Sequence, residues 1–343
     1  MKRLFLTIHW LVVCIVVVSG GRAKASLRVT SVGCPSISAV SLDRAVTFYT
    51  KVLDFQLVRT EDSSSSARFA PAMSQKTKAR TAKLSLGDEC LDITEYSSPK
   101  GKSFPDDSRA NDFWFEHVAV VVSNMNEAYE RVKVAHARFV SNVPQTLPEW
   151  NKDAGGISAF YFRDPDGHYL ELIHFPLGKG QPKWQKPSTK TFLGIDHTAI
   201  AVSDTERSVA FYRDNLHFRV AGSSENYGEE QEHLSGVFNA HVLITSLRAE
   251  SGIGIELLDY VTPTSGRPIP ANLRVSDVAR WQIPLEVTPE PTSVDTIEEL
   301  SRTHWIKLPA RDGTDREAVW VKDPDGHLLQ LIKRGAHVEP VKQ

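Results

Sequence analysis

Apolar and polar stretches alternate along the chain so that four segments show the same order of elements. Each segment begins with an apolar run of strand length. A stretch with apolar residues three or four positions apart follows, and further apolar runs between turn residues end the segment. This spacing predicts an amphipathic helix, and the short runs predict strands. The segments span about residues 28–99, 113–176, 193–262 and 278–334, and we expect a β-α-β-β-β order in each.

Two motifs recur at matching places in the two halves of the chain. The sequence Asp-Pro-Asp-Gly-His stands at residues 164–168 and again at 323–327, with an apolar strand segment after each copy. An Asp-Gly pair between β-rich runs predicts a hairpin. Residues 41–49 and 204–212 share Arg, Val, Phe and Tyr at the same spacing and predict a short helix. Repeats in a consistent order indicate duplicated structural units.

The first 25 residues have the pattern of an export signal. Lys2 and Arg3 precede an apolar run over residues 4–18, and a small-x-small pattern stands at residues 23–25. This run is short for a membrane span, which needs roughly 20 residues. We therefore predict a cleaved signal peptide over residues 1–25 and a secreted or periplasmic mature protein free of the membrane, with an uncleaved anchor as the alternative.

The rest of the chain divides into two halves joined by a linker. A stretch rich in Pro, Gly and Lys separates the second segment from the third, a composition typical of linkers. We predict domains over residues 28–176 and 193–334, each of two segments, with a linker at 177–192.

Composition excludes several classes of protein. The chain has 343 residues and a net charge of −2, with 41% hydrophobic and 24% charged residues, as in a folded globular protein. It has no basic block that would follow a phosphate backbone, so nucleic acid is not an expected partner. Two cysteines remain after the predicted signal, Cys34 and Cys90, and they do not form the Cys-x-x-Cys spacing of a zinc ribbon.

The repeated motifs resemble those of the vicinal oxygen chelate superfamily, which includes glyoxalase I, extradiol dioxygenases, fosfomycin-resistance enzymes and bleomycin-binding proteins. The similarity lies in residues 195–203, Ile-Asp-His-Thr-Ala-Ile-Ala-Val-Ser, in the Phe-Tyr helices, in both Asp-Pro-Asp-Gly-His turns and in the Glu-Leu strands that follow. It covers nearly the whole mature chain. It implies an α+β fold in which four βαβββ modules form two cup-shaped open barrels, with a divalent metal in each functional cup.

The resemblance also implies where metal ligands lie, early in the first strand and within the last strand of each contributing module. These positions hold His117 and Glu171 in the second segment and His197 and Glu256 in the third. The other two segments supply a weaker set, which we describe as a degenerate second cup: Cys34, Asp92, Gln282 and Gln330. Imidazole and carboxylate donors suit one divalent ion, and Ni, Co, Mn, Fe and Zn stay open.

Two pairings of the segments stay open as well. In fused four-module glyoxalases of the family the second module pairs with the third, which unites the four good ligands. Pairing as in the dioxygenases would separate His117 and Glu171 from His197 and Glu256. Each histidine alone could be an ordinary core residue, whereas an unpaired buried carboxylate is costly, which favours a role for both glutamates.

By resemblance, the chain is an exported, metal-dependent glyoxalase-like enzyme of isomerase or lyase type. Its small-molecule substrate carries vicinal oxygens, the metal stabilises an enediolate, and Glu171 or Glu256 is the catalytic base. The positions that hold glutathione in glyoxalase I contain Val121, Phe175, Ala201 and Tyr260 here, so we do not expect glutathione dependence.

Two alternative functions follow from other members of the family. An extradiol-type dioxygenase would take its ligands from the third and fourth modules, where this chain has His197, Gln282 and Gln330. A non-catalytic, bleomycin-resistance-like protein would keep the cup and bind a small molecule without metal.

Further residues are weaker candidates. Trp114, Asn226, Tyr227 and His233 lie where they could contact substrate. Cys34 takes a ligand position beside the strand of Cys90 in this fold, and we hypothesise a disulfide between them. The histidines of the two Asp-Pro-Asp-Gly-His turns are expected at the surface because turns are exposed. A four-module chain can complete its own cups, so a monomer is expected.

Overall fold

The computed structural model describes residues 26–63, 77–264, 266–290, 305–311 and 314–334. The predicted signal peptide and the helix expected in the fourth segment lie outside these ranges. None of the helices within them combines the length and apolar character that a membrane crossing requires.

The first half of the chain forms two modules. The elements of the first are β1 (Ser26–Val32), β2 (Ser36–Ala39), α1 (Leu42–Val52), β3 (Gln56–Ser63), β4 (Lys78–Leu86) and β5 (Glu89–Ser98). Those of the second are β6 (Glu116–Val122), α2 (Met125–Val134), β7 (Arg138–Phe139), β8 (Gln145–Thr146), β9 (Ser158–Arg163) and β10 (Tyr169–His174). A short 3₁₀ helix, Pro182–Gln185, lies in the predicted linker.

The second half repeats this order with insertions. The third module contains β11 (Phe192–Val202), α3 (Thr205–Ala210), a π-helical turn (Phe211–Asn215), β12 (Arg219–Asn226), α4 (Glu229–Ser235), β13 (His241–Arg248), β14 (Ser251–Gly252) and β15 (Gly254–Thr262). The described part of the fourth contains β16 (Trp281–Glu290), β17 (Ile306–Arg311), β18 (Thr314–Lys322) and β19 (Leu328–Arg334). Polar N-caps begin three of the helices by accepting a backbone N–H, as Ser41, Asn124 and Asp204 do for α1, α2 and α3.

Each of the two sheets takes strands from both halves of the chain. Modules two and three form one sheet in the order β12-β13-β15-β11-β6-β10-β9-β7, with β8 beside β9. Modules one and four form the other, in the order β17-β18-β19-β16-β2-β5-β4-β3, with β1 on β16 and the two-residue strand β14 of module three on β1. Neither sheet closes into a barrel. The α+β prediction is confirmed, the modules pair two with three and one with four, and the exact domain boundaries stay a prediction.

The repeated motifs explain how the two sheets are held together. The turn of module two reaches α1 of module one, where Asp166 accepts the N–H of Val40 at 3.0 Å and pairs with Arg44, and Asp164 accepts from the Tyr49 hydroxyl at 3.1 Å. The predicted hairpins are confirmed, since β9 pairs antiparallel with β10 and β18 with β19. Each Asp-Pro-Asp-Gly-His turn is thus both a hairpin and a clamp.

The same clamp joins modules four and three. Asp325 accepts from the Ser203 N–H at 3.1 Å and pairs with Arg207 at 2.8 Å, and Asp323 accepts from the Tyr212 hydroxyl at 3.1 Å. The Arg and Tyr positions of the helical motif are therefore the partners of the turn motif.

The surface prediction for the two turn histidines is wrong. His168 and His327 are both buried. The Nδ1 of His168 lies 2.8 Å from Asp164, and its Nε2 lies 3.0 Å from the carbonyl oxygen of Val278, in the turn before β16 of the other sheet. His327 makes the matching contact with Asp323 at 2.9 Å. The turns are covered because each packs against the neighbouring sheet, so the rule that turns are exposed does not hold here.

Candidate metal centre

The two candidate histidines lie on adjacent central strands of the sheet formed by modules two and three. Strands β6 and β11 are antiparallel, with His117 opposite Ala199 and His197 opposite Ala119. Each imidazole therefore faces a methyl group across the strand pair, which leaves space between the two rings. Side chains alternate between faces, so Val118 and Val120 pack in the core while His117 points into the cup.

The two candidate glutamates lie on the strands that flank this pair. Strand β10 is parallel to β6 and places Glu171 beside Ala119, and β15 is parallel to β11 and places Glu256 beside Ala199. The two modules therefore present one histidine and one glutamate each, in equivalent register, to the same cup.

Three of the four side chains converge on one point, and the fourth, Glu256, joins the group through its contact with His197. The Nε2 of His117 lies 3.1 Å from Oε2 of Glu171 and 3.4 Å from Nε2 of His197. The Nε2 of His197 lies 3.3 Å from Oε2 of Glu171 and 3.3 Å from Oε2 of Glu256. The Glu256 side chain is 21% exposed, against 6% for Glu171 and less for the histidines. Among the described residues, the group of His117, Glu171 and His197 is the one set of at least three such side chains close enough to share an ion.

These distances pass a simple test of fit to a divalent ion. Nitrogen and oxygen ligands of such ions lie about 2.0–2.2 Å from the metal. Neighbouring ligands at that radius are about 3.0 Å apart in an octahedron and about 3.4 Å apart in a tetrahedron. The observed separations of 3.1–3.4 Å lie in this interval. Two imidazoles and two carboxylates are also the donor types that first-row ions accept.

Charges in the centre compensate one another. Burial alone would raise the pKa of Glu171, but hydrogen bonds from His117 and His197 outweigh it and lower the pKa to about 2. Burial would lower the pKa of His197, but the Glu256 charge and the bonds to Asp196 and Glu171 raise it to about 10. In the metal-free protein a proton on His197 therefore takes the place of a cation between the carboxylates.

A buried aspartate orients His197. Asp196 Oδ2 lies 3.1 Å from Nδ1 of the ring and also accepts from Arg248 at 2.5 Å, while Oδ1 accepts from the Trp184 indole at 2.6 Å and from Gln181 at 2.9 Å. This bond fixes the Nδ1–H tautomer and turns Nε2 toward the cup. Adjacent strand residues normally face opposite ways, but the register of β11 with β6 shifts between Ile195 and His197. This bulge lets Asp196 reach its neighbour.

Glu256 is held at one oxygen only. The Ser246 hydroxyl donates to Oε1 at 2.5 Å, which leaves Oε2 beside His197 and open to the cup. The Nδ1 of His117 is buried and has no hydrogen-bond partner within the described part of the chain. The centre is therefore asymmetric: the histidine and glutamate of module three are oriented by polar neighbours, and His117 is positioned by packing against Phe115 and Tyr161.

A cavity of about 1170 Å³ opens onto the centre. Glu171, Glu256 and Tyr161 line it, and Tyr161 lies directly across from Glu171 in the pairing of β9 with β10. Burial, followed by the charge of Glu171, raises the pKa of Tyr161 well above 10, so its hydroxyl stays protonated.

The four substrate-contact candidates lie in different places. Asn226 lines the cavity. Trp114 packs in a buried cluster and donates to Ser108 at 2.9 Å. Tyr227 stacks on Trp150, 4.4 Å between ring centres, and His233 lies in α4. These last three are not among the residues that line the cavity, and contact of any of the four with substrate stays a prediction.

Three of the four residues of the degenerate second cup have other partners within the sheet formed by modules one and four. Cys34 and Cys90 form a disulfide, as hypothesised, with 4.9 Å between their Cα atoms. Gln282 accepts a hydrogen bond from the Trp320 indole at 2.8 Å, and Gln330 pairs across the strands with Trp320 and Pro284. Asp92 lies beside Ser36, the residue opposite Gln282.

Three residues of the centre were not identified from the sequence: Tyr161, Asp196 and Ser246. Asp196 is adjacent to His197, but strand alternation places it on the opposite face, and the bulge that overrides this has no sequence signal. Tyr161 and Ser246 each lie on a strand paired with a glutamate strand, so the pairing of β9 with β10 and of β13 with β15 identifies them once it is known.

Comparisons with known proteins agree with this architecture. A family model described as the Glyoxalase/Bleomycin resistance protein/Dioxygenase superfamily matches residues 32–172 and 194–331. Glyoxalase I from Zea mays is similar in structure, with a TM-score of 0.52 and 16% identity over 90% of this chain and 93% of that one. A putative dioxygenase from Bacillus subtilis gives a TM-score of 0.48 and 12% identity over 92% of this chain and 89% of that one. A sequence search of curated proteins finds no match.

Proposed function

We propose that this chain, which belongs to the Glyoxalase/Bleomycin resistance protein/Dioxygenase superfamily, is a metal-dependent enzyme of glyoxalase-like type that acts on a small substrate with vicinal oxygens. The observation that carries the proposal is the cluster of His117, Glu171 and His197, whose ligand atoms lie 3.1–3.4 Å apart, with Glu256 3.3 Å from His197. Both glutamates line the cavity. We infer an isomerase or lyase reaction that begins with proton transfer at the carbon next to a carbonyl.

The four converging residues would hold one divalent ion. When bound, the ion would act as a Lewis acid on the two substrate oxygens. His117 and Glu171 are the most enclosed ligands, and the hydrogen bonds that lower the pKa of Glu171 keep it ionised. Glu171 is therefore a poor proton acceptor and a good fixed ligand.

Glu256 is the residue best placed to move a proton. Its side chain is more exposed to the cavity than Glu171, and only Oε1 is held, by Ser246. Oε2 can reach a substrate carbon without breaking that bond. The protonated Tyr161 hydroxyl lines the same cavity and can donate a hydrogen bond to a substrate oxygen.

Glutathione dependence is not part of the proposal. The positions that would hold a glutathione carboxylate contain Val121, Phe175, Ala201 and Tyr260, of which three are buried and all lack a cationic group. A small substrate without that anchor fits these residues better.

Metal content and proton exchange test the proposal. The purified protein, loaded with Ni²⁺, Co²⁺, Mn²⁺, Fe²⁺ or Zn²⁺ in turn, is expected to bind one ion per chain, and His117→Ala and Glu171→Ala to lower the affinity at least 100-fold. The matched control is His241→Ala, since His241 forms a surface pair with Glu225 at 2.6 Å outside the centre. Glu256→Gln is expected to keep the ion but to lose solvent-deuterium exchange into α-hydroxycarbonyl compounds. If the protein binds no ion under any of these conditions, the metal-dependent function is excluded, and non-catalytic binding of a small molecule becomes the better explanation of the cavity.

One observation favours an oxygenase as the second candidate. His117, His197 and Glu171 form the tightest group, and two histidines with one carboxylate are the ligand set of non-haem iron oxygenases. In such an oxygenase Glu256 would not be a metal ligand, and the position beside His197 would be open to dioxygen. Dioxygen uptake by the Fe²⁺-loaded protein with catechols, retained in Glu256→Gln, would support the oxygenase. No uptake by iron-loaded wild-type protein would exclude it.

We also propose that the protein is exported. The disulfide between Cys34 and Cys90 supports an oxidising compartment, where such bonds persist. Cell fractionation and N-terminal sequencing of the natural protein test the location, and a mature form that begins near Ser26 is the expected result.

A further inference from the structure

We propose that the cavity selects an uncharged or cationic substrate that carries a hydroxyl or amino group in addition to its two vicinal oxygens, with Gln231 and Asn226 as the specificity-determining residues. The inference rests on the proposed metal-dependent function. Three independent features of the cavity carry it: an amide oxygen without a donor, an amide nitrogen without an acceptor, and an excess of negative charge.

Gln231 presents an acceptor to the cavity. Its side chain lies on α4, lines the cavity and is buried, and its Oε1 has no hydrogen-bond partner in the described structure. The helix is fixed in place, since the Ser141 hydroxyl donates to the carbonyl oxygen of Leu234 at 2.6 Å. A buried acceptor without a donor is unfavourable, so a substrate that brings an O–H or N–H to Gln231 gains binding free energy.

Asn226 presents a donor to the same cavity. Asn151 donates from Nδ2 to Oδ1 of Asn226 at 2.8 Å, and Asn151 itself is held because its own Oδ1 accepts the N–H of Ala154 at 3.0 Å. This contact fixes which end of the Asn226 amide is oxygen. Its Nδ2 has no acceptor among the described residues, and the side chain lines the cavity. A hydroxyl group, which both donates and accepts, matches the pair of amides.

The charge of the cavity disfavours anions. Of the described residues that line it, eight are acidic and three are basic. Two of the basic residues are already paired with acids of the lining, Lys183 with Glu89 and Arg248 with Asp196, and a third acid, Glu250, pairs with Arg28 outside it. The exposed Asp88 and Asp153 still outnumber the remaining basic residue, Arg219. A divalent ion would balance only the two glutamate ligands. A carboxylate or phosphate on the substrate would therefore enter a region of negative potential, whereas a neutral or cationic group would not.

Two chelating probes of the same shape test the inference. Kojic acid and comenic acid share one hydroxypyranone chelating group and differ at one ring position, which carries a neutral hydroxymethyl group in the first and a carboxylate in the second. Titration of the Co²⁺-loaded protein, followed by its visible absorption, gives a dissociation constant for each probe without measuring activity. We expect kojic acid to bind at least about threefold tighter than comenic acid at low salt, and the ratio to shrink at 0.5 M NaCl because salt screens the charges.

Substitutions assign the preference to particular residues. Gln231→Leu is expected to raise the dissociation constant of kojic acid about fivefold, which corresponds to the loss of one neutral hydrogen bond. The dissociation constant of comenic acid should change by less than about twofold. Asp88→Asn with Asp153→Asn, two exposed acids of the lining, should reduce the preference for the neutral probe. The control is Gln56→Leu, an exposed glutamine on β3 of the other sheet, which should change neither constant.

The outcomes separate the inference from the proposed function. Equal affinities, or tighter binding of comenic acid to protein that holds Co²⁺, overturn the inference and leave the metal-dependent function standing. An equal effect of Gln231→Leu on both probes removes the role of Gln231. A protein that takes up no Co²⁺ fails at the earlier step, the proposed function itself. The wild-type ratio and its salt dependence need no variant, so a poorly folded Gln231→Leu does not prevent the decision.

Discussion

Replacing Tyr49 by phenylalanine tests how the helix motif and the turn motif depend on each other. Tyr49 is fully buried, and its hydroxyl donates to Oδ2 of Asp164 at 3.1 Å. This bond joins α1 of module one to the turn between β9 and β10 of module two. Burial, followed by the charge of Asp164 and the hydrogen bond to it, raises the pKa of Tyr49 well above 10. The hydroxyl is therefore a donor at every working pH, and Tyr49→Phe removes this one hydrogen bond and nothing else.

The structure sets the size of the expected loss. A hydrogen bond to a charged group contributes about 1.5–3 kcal/mol. Asp164 is not orphaned by the change, because His168 still contacts Oδ2 at 2.8 Å and three backbone N–H groups still donate to Oδ1. We therefore expect the low end, a fall of about 1.5 kcal/mol in the free energy of unfolding. Tyr212→Phe should lose the same amount, since its hydroxyl lies at the same 3.1 Å from Asp323.

Equilibrium unfolding in urea measures both losses. Tyr129→Phe is the matched control: its ring packs against Phe139 and Phe160, and its partly exposed position predicts a change below about 0.5 kcal/mol. The two clamp variants should differ from one another by less than this amount. A result in which Tyr49→Phe unfolds like the control, or in which the two clamp variants differ by more than about 1 kcal/mol, refutes the equivalence of the two clamps.

Other predictions concern pH, the disulfide and assembly. Burial lowers the pKa of His168, but the charge of Asp164 outweighs it and raises that pKa above 6.5. The stabilisation by protonated His168 is therefore complete below pH 6.5 and is lost as the pH rises through the raised pKa. Burial raises the pKa of Asp164, but His168 outweighs it and lowers that pKa below 3.8, so the stabilisation by ionised Asp164 is lost as the pH falls below 3.8. Denaturation midpoints from pH 3 to 9 should show both slopes. His168→Asn should reduce the alkaline one without abolishing it, because the pKa values of His327 and His197 are also raised by their carboxylate partners. Replacing Cys34 and Cys90 together by serine opens a loop of 56 residues and should cost about 4 kcal/mol; a reductant should shift the wild type equally and leave the variant unchanged. Light scattering should give the mass of one chain, and a dimer would contradict the predicted monomer.

Duplicated patterns made most of the architecture predictable. The recurrence of one motif at residues 164–168 and 323–327 shows where two hairpins lie, and the recurrence at 41–49 and 204–212 shows where two helices lie. The resemblance to the superfamily, applied to the first and last strands of modules two and three, selected His117, Glu171, His197 and Glu256. The sequence left the pairing of modules open, because the apolar runs of β6, β10, β11 and β15 are equally able to pair with other apolar strands.

The misplaced histidines and the unidentified polar residues share a physical cause. His168 looks like a turn residue because its neighbours favour a turn, and only the docking of that turn on the other sheet buries it. Asp196 looks like the back of a strand because alternation is the default, and only the bulge before His197 changes its direction. Both depend on contacts between residues distant in sequence, which local patterns do not contain.

The paired clamps give the molecule an interlaced construction. Each sheet combines one module from either half, while each turn fastens modules of the same half, so a cut between the halves would sever no sheet and no clamp. Two fragments divided within residues 177–192 should therefore remain associated, and neither fragment alone carries more than one imidazole and one carboxylate of the centre. Separately produced halves would regain all four groups only by recombining, so metal uptake by the mixture, and by neither half alone, would report reassembly of the two sheets.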